Sequence, residues 1–123
     1  MKRVDLNFLS MRDFTLALDE TSKMISLKSK YIINFKGHFE INSCLYIVME
    51  YADGGDLEKV IKTQQEQEGR QYLSERQIYS YMVDICEALC YCHAGGIIHR
   101  DLTPRNILIH QGRLKLSDFG ISK

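Results

Sequence analysis

At 123 residues the chain is long enough for one domain with a sizeable core, the usual domain running about 100–150 residues. Its 16 basic residues balance its 16 acidic ones, which excludes a bulk electrostatic pull toward nucleic acid or an anionic membrane. The opening Met1-Lys2-Arg3-Val4-Asp5-Leu6 is too polar for a secretory leader and no apolar run is long enough for a bilayer, so a cytoplasmic, globular protein is expected.

Ser10 begins a capping pattern with Asp13 three residues on, and Phe14, Ala17, Leu18, Met24, Ile25 and Leu27 follow with a helical period that ends near Lys28. Residues 32–39 and 44–51 read as two strands joined by the polar turn Glu40-Ile41-Asn42-Ser43. Within the second, residues 45–49 are nearly all apolar, as in a strand covered on both faces. Asp53-Gly54-Gly55-Asp56 breaks the pattern, and Asp56 can cap a short helix to about Thr63. Residues 64–71 are polar and glutamine-rich, a solvated helix end and loop. Ser74-Glu75-Arg76-Gln77 is a capping box, with Ile78, Met82, Ile85, Leu89 and Cys92 behind it at helical spacing. Gly95-Gly96 stops that helix. Beyond it, residues 107–109 and 114–116 are short strands around a Gln111-Gly112 hairpin turn, with the single proline, Pro104, in the loop before them. No internal repeat and no interdomain linker is visible.

Of the four cysteines, Cys86, Cys90 and Cys92 share one predicted helix and with Cys44 make a poor disulfide framework. His93 is close to Cys86 and Cys90, but a zinc site needs a fourth ligand and a usual spacing, so buried or half-buried thiols are expected.

The chemistry concentrates in Ile98-His99-Arg100-Asp101-Leu102-Thr103-Pro104-Arg105-Asn106, followed twelve residues after Asn106 by Asp118-Phe119-Gly120. Two carboxylates and an amide are thereby placed on loops at the ends of short strands. Phosphoryl transfer needs that set: a carboxylate to position the attacking hydroxyl, and a few oxygen ligands for Mg²⁺ that share the ion with phosphate oxygens.

These two motifs resemble those of the eukaryotic protein kinases. The resemblance implies an α+β, kinase-like bilobal fold, with ATP, Mg²⁺ and a protein substrate as partners and no role for nucleic acid or membrane. It makes Asp101 the catalytic base, Asn106 and Asp118 the magnesium ligands, and Arg100 the group that answers a phosphorylated activation loop. Glu50, Tyr51 and Ala52 resemble the hinge that holds adenine through its backbone, with Met49 as gatekeeper, Asp56 near the ribose and Leu108 as the adenine floor. Lys2 and Glu20, eighteen residues apart, resemble the family's strand lysine and helix glutamate, with Lys2 at the nucleotide. Met24, Phe35, His99 and Phe119 would form the internal hydrophobic spine, although plain core packing describes the first two equally well. His38 and His110 read as surface residues. That lysine spacing, Val4-Asp5-Leu6, Leu45-Tyr46-Ile47-Val48-Met49-Glu50-Tyr51 and Gly54-Gly55-Asp56-Leu57 look like the NIMA-related serine/threonine subgroup.

By this resemblance the whole chain is one partial kinase domain: a small-lobe portion at about 1–51, a hinge at about 50–56 and the start of the large lobe at about 57–123. The glycine-rich-loop strands and most of the helical large lobe are expected to be missing, which makes the chain alone marginally folded and inactive. Residues 45–49 and the helix bearing Ile78, Met82, Ile85 and Leu89 should then lose much of their cover. Thr103 also departs from the family, whose serine/threonine members usually carry lysine two residues after the catalytic aspartate. Two rival readings follow: a catalytically silent nucleotide-binding or scaffold fragment, and an incomplete gene product with no independent fold.

Overall fold

In the computed structural model, which describes residues 1–6, 15, 22, 25–66 and 72–118, a sheet occupies the first part of the chain and helices with one hairpin the second. Strands β1 (Lys2–Asp5), β2 (Phe35–Ile41) and β3 (Cys44–Met49) form an antiparallel sheet in the order β1-β3-β2. The expected four-residue turn between β2 and β3 shortens to two, because Ile41 pairs directly with Cys44. Asn42 and Ser43 take φ of 50° and 56°, the left-handed geometry whose twist suits a two-residue hairpin. Asparagine tolerates that region through its short polar side chain; serine enters it at some cost. Phe39 stacks on its cross-strand partner Tyr46 with ring centroids 5.2 Å apart. The first expected strand begins later than its apolar residues do. Ile32 forms a parallel bridge to Leu116 instead, flanked by hydrogen bonds from Ile33 N–H to Leu116 O (2.9 Å) and from Leu116 N–H to Tyr31 O (2.8 Å).

After the segment 50–56, helix α1 (Leu57–Glu66) starts where the Asp56 carboxylate accepts the Lys59 N–H at 2.8 Å. Helix α2 (Glu75–Ala94) starts at Ser74, whose hydroxyl accepts the Gln77 N–H at 3.2 Å. Gly96, at φ 71°, supplies the left-handed residue that ends it. Strands β4 (Ile107–His110) and β5 (Arg113–Leu116) close through Gln111 and Gly112, at φ 51° and 75°. The expected helix at residues 10–28 and much of the loop at 64–71 lie outside the described residues.

The stripe of α2 that packs on β5 is Tyr81, Asp84, Ala88 and Cys92, all buried. Ile78 and Met82 are 47% and 53% exposed and Ile85 and Leu89 half-buried, the loss of cover expected for this helix, while Cys92 of the expected stripe is buried. On the buried face the Asp84 carboxylate accepts a bifurcated bond from Arg113 Nε at 3.0 and 3.1 Å, one from Arg113 Nη2, and the Leu114 N–H at 3.0 Å. Small Ala88 lets β5 approach closely at the next turn. One buried cluster runs from Leu45 and Ile47 of β3 through Ile32 and Phe35 to Leu114 and Leu116 of β5 and Cys92 of α2. Leu45 and Ile47 are therefore covered, contrary to the expected loss of cover over 45–49. The architecture is α+β, and among the described residues no helix is long and apolar enough to cross a membrane.

All four cysteines are free; Cys44 and Cys92 are buried, whereas Cys86 and Cys90 are exposed, against the expectation for the latter two. Burial pushes the Cys92 thiol up to about 11, so it stays protonated and a poor nucleophile at neutral pH. Iodoacetamide on the native protein should label Cys86 and Cys90 and spare Cys44 and Cys92, read by peptide mass spectrometry. Labelling of Cys92 as fast as Cys86 would mean that α2 is not seated on β5.

Candidate active site

The loop between α2 and β4 is held by a buried imidazole. His99 Nε2 donates to Ser117 O at 2.7 Å and its Nδ1 accepts the Asp101 N–H at 3.3 Å, a pair of bonds that assigns the neutral tautomer with its proton on Nε2. Arg100, between them, is exposed and at φ 65°. The Asn106 amide then turns both its N–H bonds on Asp101, one to the main-chain O at 2.8 Å and one to carboxylate Oδ2 at 3.0 Å. A 3-10 turn at Pro104–Asn106, closed by Asn106 N–H on Thr103 O at 2.9 Å, fixes that geometry. Ser117 reaches back with its N–H (2.8 Å) and its hydroxyl (3.0 Å), both to Asn106 O. Asp101, Asn106 and the residue preceding Asp118 are thus linked in one network.

Asp118 follows at φ 51°, a conformation that costs a non-glycine residue energy and aims its carboxylate at β1. Its Oδ1 accepts from Lys2 Nζ at 2.8 Å, both side chains being about one-third exposed. Glu20, the partner expected for Lys2, lies outside the described residues, so Asp118 is the described partner of that ammonium. Phe119 and Met24 also lie outside them, while Phe35 and His99 are buried as expected of core positions.

The segment 50–56 is fastened at both ends. Glu50 N–H donates to Asn34 O at 2.9 Å, and Glu50 Oε1 accepts both the Asn34 N–H at 2.8 Å and Lys115 Nζ at 2.6 Å. Burial pushes the Glu50 carboxyl up, but the bonds from Lys115 and Asn34, with the charge of Lys115, outweigh it and hold the group below its ordinary value. At the other end, Gly54 N–H donates to Ile109 O at 2.9 Å and Ile109 N–H to Gly55 O at 2.8 Å. A Cβ on Gly54 would lie 2.6 Å from Ile109 Cγ2, so only glycine permits this approach. Between these anchors Ala52 makes no backbone hydrogen bond to a described residue. Half-buried Met49 ends β3 opposite Phe35, and Asp56 bridges half-buried Leu108 on β4.

The oxygen inventory suits a hard cation. With both N–H bonds of Asn106 spent on Asp101, its amide oxygen is left as a donor, and Asp118 contributes a carboxylate. Magnesium is commonly held by one or two such protein oxygens plus phosphate oxygens. Among the described residues no three His, Cys, Asp or Glu side chains gather into an all-protein metal cage. Asp101, Thr103, Pro104, Arg105, Asn106 and Glu58 line an open cleft of about 420 Å³. Arg105, Glu58 and Lys115 carried no role in the sequence reading; only the place of Arg105 between Pro104 and Asn106 signalled one.

The protein kinase domain family model matches residues 1–123. The chain is 36% identical over 124 residues to the serine/threonine-protein kinase Nek1 of Mus musculus, an alignment covering 100% of this chain and 10% of that protein. It is 34% identical over 128 residues to the serine/threonine-protein kinase nekl-2 of Caenorhabditis elegans, covering 100% of this chain and 36% of that protein. To the probable serine/threonine protein kinase IREH1 of Arabidopsis thaliana it is 37% identical over 107 residues, covering 86% and 8%. The chain therefore spans about a third or less of the length of these curated relatives.

Proposed function

The chain belongs to the protein kinase family, and from that premise we propose that it carries phosphoryl-transfer machinery taking the γ-phosphoryl of ATP to a serine or threonine hydroxyl of a protein. The observation that carries the reading is the network joining Asp101, Asn106 and Ser117, which sets one carboxylate at an open cleft and a second, Asp118, immediately beyond. Relatives named as serine/threonine kinases, several of them Nek proteins, support the acceptor type.

In this reading Asp101 orients the acceptor hydroxyl and takes its proton, its own carboxylate held in place by Asn106. Asn106 and Asp118 would hold Mg²⁺, which supplies neutralisation of phosphate charge when bound. Lys2 would reach the nucleotide phosphates from β1, with Glu20 in the role of the family's helix glutamate. Glu50 and Ala52 present main-chain groups to adenine, Met49 and Leu108 its apolar walls, and Asp56 a carboxylate to the ribose. Arg100 would pair with a phosphorylated loop. Residues 1–51 act as the small-lobe portion, 50–56 as the hinge and 57–123 as the start of the large lobe.

The test is transfer of label from γ-labelled ATP to a generic protein substrate by the full-length protein. Label should appear with Mg²⁺, vanish with EDTA, and vanish in Asp101→Asn. Magnesium-dependent nucleotide binding in titration calorimetry with no transfer under any condition would favour the silent nucleotide-binding reading, to which Thr103 lends support.

A further inference from the structure

We propose that the cleft beside Asp101 selects acceptors carrying an acidic residue next to the hydroxyl, through a cationic rim of Arg105 and Lys62; this rests on the phosphoryl-transfer reading of the same site. Arg105 Nε donates to Glu58 Oε2 at 2.9 Å, and Lys62 Nζ lies 3.5 Å from the same oxygen. One carboxylate is thus shared between two cations, which leaves the rim with one net positive charge.

The geometry favours an acidic guest over a basic one. Arg105 sits on the 3-10 turn Pro104–Asn106, four residues from Asp101, so its Cα is fixed relative to the carboxylate that would hold the acceptor. Its side chain is 72% exposed and uses one of the five guanidinium N–H bonds on Glu58. The remaining edge is open to a carboxylate in the two-pronged contact that guanidinium favours. Glu58 is the acidic group on the rim that would attract a basic guest, and Lys62 and Arg105 already occupy it from both sides. Asp101 bears the other negative charge in the cleft, but its Oδ2 is engaged by Asn106 and its free oxygen is kept for the hydroxyl. An acidic residue therefore binds beside the acceptor position, outward toward α1, not in it.

Three serine peptides of equal length test this, the serine flanked by aspartates, by arginines or by neutral residues. Binding is read by fluorescence anisotropy on the full-length protein, and kcat/KM by label transfer. The aspartate peptide should be preferred over the neutral one by about three- to tenfold at low salt, with the preference shrinking as salt is added. Arg105→Glu should reverse the order in favour of the arginine peptide, and Arg105→Gln should erase it. A preference unchanged in both variants, or an arginine preference in the native protein, overturns the proposal. Transfer without any charge preference sinks the rim and leaves the phosphoryl-transfer reading standing. A binding preference that reverses in Arg105→Glu while no peptide is ever phosphorylated upholds the rim and sinks that reading.

Discussion

Replacing Asp118 by Asn should lower the proposed phosphate transfer by about 10²–10³-fold, the loss that follows removal of one preorganised electrostatic group from a reacting centre. Asparagine keeps the shape and one oxygen but not the charge, so a cation shared with Asn106 is held less firmly and the Mg²⁺ concentration for half-maximal rate rises. The substitution also removes the negative charge that faces Lys2. That pair is partly solvated, and pairs of this kind contribute at most about 1 kcal/mol. The rate should therefore collapse while the thermal midpoint barely moves, a split that separates a chemical role from a structural one. A rate within tenfold of the native protein at sub-saturating Mg²⁺, with the Mg²⁺ dependence unchanged, would remove Asp118 from the metal site.

The second large effect is on stability. Asp84→Ala should destabilise the protein by about 3 kcal/mol, because hydrogen bonds to a charged group contribute roughly 1.5–3 kcal/mol and an abandoned buried N–H costs roughly 1–3 kcal/mol. The carboxylate is fully buried and serves two strand residues at once, the Arg113 guanidinium and the Leu114 N–H. Domains have only about 5–15 kcal/mol in hand, so this is a large share of the whole. Asp84→Asn retains an acceptor for Leu114 N–H and should fall between Ala and native. Urea unfolding curves read at constant slope decide the matter. A loss under about 1 kcal/mol for Asp84→Ala would mean that water takes the place of the carboxylate at both Arg113 and Leu114.

What could be read from the chain and what could not divide along a physical line. Ser74, Asp56 and the Gln111-Gly112 turn were legible because caps and tight turns are made by residues within a few positions of one another. The Asn42-Ser43 turn was less so, since it takes a geometry usually marked by glycine. The expected stripe of α2 left out Tyr81, Asp84 and Ala88, because Ile78 and Met82 make as good a periodic stripe as Tyr81 and Ala88. One residue of the buried face is a charged one, whose partners Arg113 and Leu114 lie on another element. In the candidate site, the kinase resemblance singled out Asp101, Asn106 and Asp118. It did not supply the contact of Lys2 with Asp118, the lock of Lys115 on Glu50 or the rim at Arg105, each formed by residues far apart in sequence.

That last contrast sets an order of events. Helix α2 and the hairpin of β4 and β5 close over short stretches of chain, whereas Lys2 and Asp118 meet across 116 positions. Loop closure grows costlier with length and long-range contacts form late. A chain emerging from the ribosome thus builds its helix, its cap and its imidazole-braced loop before the ammonium and the carboxylate can find each other. The Lys2–Asp118 contact is thus expected to be the last part of the site to form in folding, and by the same argument the first to be lost when the protein begins to open.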